Sequence, residues 1–173
     1  RLLQQQRVSE IDDNLSLDMF NLLVDTLVAN NYEHYEISNF AREGFRSRHN
    51  TSYWQAIPYL GLGPSAHSYD GNSRQWNVSN LRKYMDAIEN GTLPMEREVL
   101  NEDTKYNDWI TTALRTKEGL DLNRLSNAHR QYLLEAAEHH LKQGHLVLSG
   151  NNIALSRTGI FISDSVMSDL VKV

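Results

Sequence analysis

The stretch RHNTSYW, residues 48–54, sets an arginine, a histidine and an asparagine directly ahead of a tyrosine and a tryptophan. A neutral imidazole is a good metal ligand. Beside Tyr53 and Trp54, His49 could be an axial ligand of a flat aromatic macrocycle, with the two rings packing against the macrocycle's faces and edge. A structural histidine bonded to a backbone carbonyl fits the same residues, and spacing does not choose between the two. Arg42, Arg46 and Arg48 precede or begin this stretch, in a loop expected at the carboxyl end of a strand, where α/β proteins place their ligand sites. Their guanidinium groups can hold carboxylates or phosphates through charge-assisted pairs, with ordinary loop solvation as the alternative.

Other stretches carry weaker chemistry. In GLGPSA, residues Gly61, Gly63 and Ala66 satisfy the G-x-G-x-x-A form of a dinucleotide loop. The turn-rich HSYDGNS follows, where a helix would have to open to receive phosphate on its amide groups. Gly61 and Gly63 therefore read as points where backbone approaches a ligand or a neighbouring strand closely, or simply packs tightly. Ser65, His67 and Asp70 have the residue types of a catalytic triad, but a triad is assembled in space from separate elements. His139, His140 and His145 form neither an H-E-x-x-H pair nor a cysteine-containing finger, and adjacent helical residues point to different faces. No residue is assigned as catalytic.

The elements that must position these groups follow from periodicity. Residues 16–29 read as an amphipathic helix capped by Ser16, with Phe20, Leu23, Val24, Leu27 and Val28 at helical spacing. YEHYEISNF alternates as a strand, with Tyr35 and Ile37 on one side and His34, Glu36 and Ser38 on the other. AREGFRSRHNTSYWQAIP reads as an irregular loop, YLGLG as a second strand and PSAHSYDGNSRQWN as turns. A helix from Ser79 carries Leu81, Tyr84, Met85 and Ile88 and stops at Gly91, after which GTLPMEREVLNED is a connector. A domain boundary is expected near residue 98. Beyond it come helices at about 102–115, 121–126 and 129–143, a hairpin in HLVLSGNNIALS and a helix after Ser156. That order is similar to a winged-helix module. The expected fold class is α/β over 1–98 followed by a small α+β winged-helix-like domain over 99–173.

Composition narrows the function. The 173 residues are 40% hydrophobic, enough for a packed core, and 17 basic against 22 acidic residues give a net charge of −5. Nothing global favours nucleic acid or an anionic membrane. Locally, residues 101–173 hold eight basic and nine acidic side chains. The hairpin tip SGNN has no cation, and Arg130 and Lys142 are offset by Glu135 and Glu138, so DNA binding is not expected. No apolar run approaches a membrane span and RLLQQQRVSE lacks a secretion signal's apolar core, which predicts a cytoplasmic protein. The absence of cysteine excludes disulfides, thiolate metal sites and iron–sulfur ligation by this chain. Residues 1–95, with two strand candidates, read as the tail of a larger sheet, and would expose apolar edges unless an oligomer hides them.

Taken together, YEISNFAREGFRSRHNTSYW (35–54), YLGLGPSAHS (59–68) and RQWN (74–77) resemble the later part of the oxygen-independent coproporphyrinogen III oxidase family of radical S-adenosylmethionine proteins. Within it the resemblance is closer to the heme chaperone (HemW-type) branch, whose HNxxYW hallmark falls on His49, Asn50, Tyr53 and Trp54. The resemblance implies the last strands and helices of a partial (β/α) barrel holding S-adenosylmethionine and a 4Fe–4S cluster, then a helical, winged domain covering its open end. It implies heme or a related tetrapyrrole as ligand, His49 as iron ligand, and Arg42, Arg46 and Arg48 as partners of propionates. Gly61, Gly63, Ala66 and His67 match the segment near S-adenosylmethionine, and an acceptor apoprotein would receive heme. The family's CxxxCxxC motif has no counterpart here, so neither radical generation nor decarboxylation is expected from this chain. The chain is expected to be the C-terminal part of a longer protein. Two alternatives stand beside the chaperone: a fragment of a true oxidase, and a stand-alone winged-helix interaction module.

Overall fold

The computed structural model describes residue 5 and residues 11–173. The chain forms two compact units, Arg1–Arg46 and Ser47–Val173.

In the first unit, helix α1 (Asp13–Ala29) starts earlier than the sequence predicts, because Asp12 rather than Ser16 is its cap. The Asp12 carboxylate accepts the amides of Asn14 at 2.8 Å and Leu15 at 3.2 Å, two of the donors a helix start leaves open. The single strand predicted over YEHYEISNF is instead an antiparallel hairpin of β1 (Glu33–Glu36) and β2 (Asn39–Ala41). Glu36 turns the chain: its buried carboxylate accepts the Ser38 amide at 2.9 Å and the Asn39 side chain. A bulge between His34 and Glu36 then lets Tyr35 and Glu36, neighbours in sequence, both be buried, against the expected alternation.

The second unit begins with α2 (Arg48–Trp54), where the sequence predicts a loop. YLGLG does not form a strand; only Tyr59 pairs, as an isolated bridge to Tyr69. The stretch predicted as turns folds into β3 (His67–Tyr69) and β4 (Ser73–Asn77), and part of the predicted connector is β5 (Met95–Val99), giving an antiparallel sheet in the order β3-β4-β5. Asp70 shapes the β3–β4 turn by accepting the amides of Asn72 and Ser73 at 2.9 and 2.7 Å, so it serves the fold rather than any triad with Ser65 and His67. Between β4 and β5 runs α3 (Leu81–Glu89), capped by Asn80.

Next come α4 (Glu102–Ala113), β6 (Leu120–Asp121), a 3-10 turn (Leu122–Arg124) and α5 (Asn127–Lys142). They are followed by β7 (Leu146–Ser149), β8 (Asn152–Leu155), α6 (Arg157–Phe161) and α7 (Ser163–Leu170). The three strands form a second antiparallel sheet ordered β6-β8-β7. Ile110, Leu120, Ile153, Val166 and Leu170 are fully buried, so this region owns a continuous core. Its C-terminal tail is tied down by Tyr106, whose hydroxyl donates to the Leu170 carbonyl at 2.8 Å, and by Asn107, which donates to and accepts from the backbone of Lys172. The architecture is mixed α/β. Among the described residues no helix is long and apolar enough to cross a membrane.

Candidate functional site

Helix α2 exists because Ser47 supplies its N-cap: the hydroxyl accepts the Asn50 amide at 3.3 Å, and the Ser47 carbonyl takes both the amide and the hydroxyl of Thr51. Helical geometry then sets His49 and Tyr53, four residues apart, on one face. Their rings meet edge to face with centroids 4.9 Å apart. His49 is exposed, and among the described residues neither of its ring nitrogens has a hydrogen-bond partner. An imidazole in that state can accept a metal through a nitrogen lone pair. Arg48 opens the same helix and is exposed, Asn50 is half-buried, and Trp54 ends it half-buried.

The aromatic series continues past the helix. Tyr53 meets Tyr59 with centroids 4.6 Å apart, and Tyr59 faces Tyr69 at 6.2 Å. These tyrosines wall a cleft of about 390 Å³ whose other side is formed by Trp109 of α4, Arg124 of the 3-10 turn and His129 of α5. The Arg124 guanidinium carbon lies 3.7 Å from the centre of the Trp109 ring. Burial pushes the Asp108 carboxyl at this cleft up from its ordinary value, against the pull of Arg74 at 3.3 Å, and pushes the Tyr59 hydroxyl up as well. Nothing in the sequence singles out the cleft. Its residues come from several separate elements and loops, and the only local signal is a tryptophan within the helix predicted from about residue 102.

The glycine loop has a structural explanation. A Cβ on Gly61 would overlap the backbone carbonyl of His67, and the Gly61 amide donates to Ser68 Oγ at 2.9 Å. Gly63 sits at φ +105, where a side chain is strained, and its carbonyl accepts from the Asn77 side chain at 2.9 Å. The Ala66 carbonyl accepts the Asn77 amide, and strand β3 follows at once, so no helix opens to receive a pyrophosphate. His67 is exposed, with its ring tilted over Trp76 at 6.2 Å.

In the first unit Arg42 is exposed, its guanidinium 5.3 Å from the centre of the Tyr32 ring. Arg46 grips Glu33, a carboxylate of the chain itself, through two bonds of 2.8 and 2.6 Å. His140 is also structural, buried with Nε2 3.0 Å from Asp169 and Nδ1 3.2 Å from His145. No group of three or more histidines and acids placed to hold a metal ion occurs among the described residues.

No family model matches the chain. It is 32% identical to the heme chaperone HemW of Mycobacterium tuberculosis over 172 residues, covering 99% of this chain and 43% of that protein. It is 30% identical to the heme chaperone HemW of Bacillus subtilis over 134 residues, covering 76% of this chain and 35% of that protein. The chain thus spans less than half the length of the curated relatives it matches. Among solved structures, coproporphyrinogen III oxidase (HemN) from Escherichia coli, a radical SAM enzyme, superposes with a TM-score of 0.66 at 16% identity, covering 97% of this chain and 44% of that one. That likeness is one of fold, and it extends over both units of the chain. Near-complete coverage at this identity decides the matter: the chain belongs to the heme chaperone family of radical S-adenosylmethionine proteins.

Proposed function

We propose that this chain is the tetrapyrrole-handling C-terminal part of a heme chaperone, holding heme as cargo for delivery to an acceptor apoprotein. The observation that carries the reading is His49: exposed, free at both ring nitrogens among the described residues, and edge-on to Tyr53 at 4.9 Å. In this reading His49 ligates the heme iron, while Asn50, Tyr53 and Trp54 line the ring and Arg48 takes a propionate. An iron ligand has a use with heme and none with a metal-free porphyrinogen, so the oxidase alternative has only the fold likeness behind it.

The chaperone reading assigns residues 1–98 to the end of the radical S-adenosylmethionine barrel and 99–173 to a winged-helix-like domain. The order α4, β6, α5 and then the β7–β8 hairpin supports the second assignment. As a stand-alone interaction module this domain would lack a basic face for DNA. S-Adenosylmethionine and a 4Fe–4S cluster belong to the longer parent. The cluster does not fit the residues present, because its usual ligands are thiolates and there is no cysteine, so no radical step is derived from this chain. In this reading Gly61, Gly63, Ala66 and His67 lie near S-adenosylmethionine of the parent, although the approach of Gly61 to His67 is already explained by the fold. A cytoplasmic setting and self-association through uncovered apolar faces complete the proposal.

Titrating the chain with hemin tests it. A Soret shift is expected, and His49→Ala should abolish it. A spectrum that His49→Ala leaves unchanged removes His49 as the ligand.

A further inference from the structure

Four basic side chains border the cleft behind Tyr53, and three of them already meet acids. Arg74 meets Glu98 at 3.2 Å and Asp108 at 3.3 Å, Lys105 meets Glu102 at 2.9 Å, and His129 meets Asp103 at 2.7 Å. Arg124 is the exception: among the described residues its guanidinium has the Trp109 ring below it, at 3.7 Å, and no carboxylate. A guanidinium stacked on an indole is held flat, with its row of N–H donors directed sideways. The Trp109 Nε1 donor is buried and likewise has no acceptor among the described residues. A buried donor without a partner costs free energy that an incoming acceptor recovers. A buried donor and an exposed cation with no acid partner thus stand side by side, and the wall beside them is made of tyrosine rings.

We infer that this cleft is a second contact site for the cargo, receiving the carboxylate-bearing edge of a planar conjugated ring, with Arg124 pairing the carboxylate and Tyr53 and Tyr59 against the ring. This inference rests on the tetrapyrrole reading above and deepens it. At about 390 Å³ the cleft lies toward the small end of ligand pockets, so it takes an edge of such a ring rather than the whole. Tyr53 joins the two contacts, since it touches His49 on one side and lines the cleft on the other. Arg124 is thereby a specificity residue for anionic substituents, and it acts on a part of the ligand that the iron does not reach.

The test uses a metal-free porphyrin bearing propionates, so that coordination by His49 adds nothing to the signal. Binding to the whole chain is followed by porphyrin fluorescence anisotropy, beside a cationic N-methylpyridyl porphyrin as the opposite-charge probe. Arg124→Gln should weaken the anionic porphyrin about tenfold, the size of one lost charge-assisted pair. Arg124→Lys should recover part of that loss, and Trp109→Phe, which keeps the ring and removes the donor, should lose less. Lys142→Gln, on α5 outside the cleft lining and with its cation already on Glu138 at 2.6 Å, should bind within about twofold of the unchanged chain. Equal affinity in Arg124→Gln, or equal binding of the cationic porphyrin, overturns the inference. If that happens while hemin still gives a His49-dependent Soret shift, the cleft fails and the iron ligand stands. An Arg124-dependent porphyrin affinity without the Soret shift keeps the cleft and removes the iron ligand.

Discussion

Helix α4 and helix α3 are both amphipathic, yet only one of them has somewhere to put its apolar face. On α4 the side chains of Tyr106, Ile110 and Ala113 are buried in a core shared with α5, α7 and the β6-β8-β7 sheet. On α3 nothing is buried, and Leu81, Met85 and Ile88 are exposed. Helix α1 behaves like α3: Val24 alone is buried, while Leu15, Met19 and Leu22 face outward. Amphipathic sequence shows that a face is meant to be covered, and only packing shows what covers it. The α4–α7 region supplies its own cover. The helices before it leave their apolar faces uncovered.

This contrast has measurable edges. Ile110→Ala, at a site with no exposed surface, should cost about 2–5 kcal/mol in chemical denaturation through lost burial and a residual cavity. A smaller loss would mean that the region between α4 and α7 is looser than its burial implies. An acid titration comes next. Hydrogen bonds from Asn72 and Ser73 hold the Asp70 carboxyl down at about 2, with Arg97 adding a weaker pull. Because the folded value lies below the ordinary one, its stabilising effect is full above the ordinary carboxylate range and fades as pH falls toward 2. The Tm of the native chain should therefore exceed that of Asp70→Asn at pH 5, and the gap should close as pH approaches 2. A gap constant over that range would show that Asp70 does not work through its charge. The weakest effect belongs to α1: Leu22→Ala, at a side chain 68% exposed, should change stability by less than about 0.5 kcal/mol. A larger loss that grows with protein concentration would place the proposed self-association on this helix.

Long helices and a hairpin with marked turn residues can be read from the sequence, and short elements without such a signal cannot. Helices α1, α3, α4 and α5 and the β7–β8 hairpin follow from periodicity and from turn residues such as Gly150. Strand β5 escapes because MEREV is exposed along its length, so its charges have no buried alternation to betray them; only pairing with β4, where Arg74 meets Glu98, explains them. Helix α2 escapes for a different reason. Seven residues that include Thr51, Tyr53 and Trp54 carry little helical signal, and the Ser47 cap that starts the helix looks like any loop serine. The residues of the candidate site are nevertheless legible through His49, Asn50, Tyr53 and Trp54. The Trp109–Arg124 stack is not, because the two residues stand fifteen positions apart and meet only after the chain has turned through β6.

The brevity of α2 reaches beyond its detection. Two turns capped by a single serine hydroxyl fall well short of the length at which a helix persists unaided in water. Any molecule gripped by the imidazole of residue 49 therefore also stabilises the coil-to-helix ordering beneath it, and the two equilibria share one free energy. Unwinding this segment would loosen such a molecule without any change in the ligating atom.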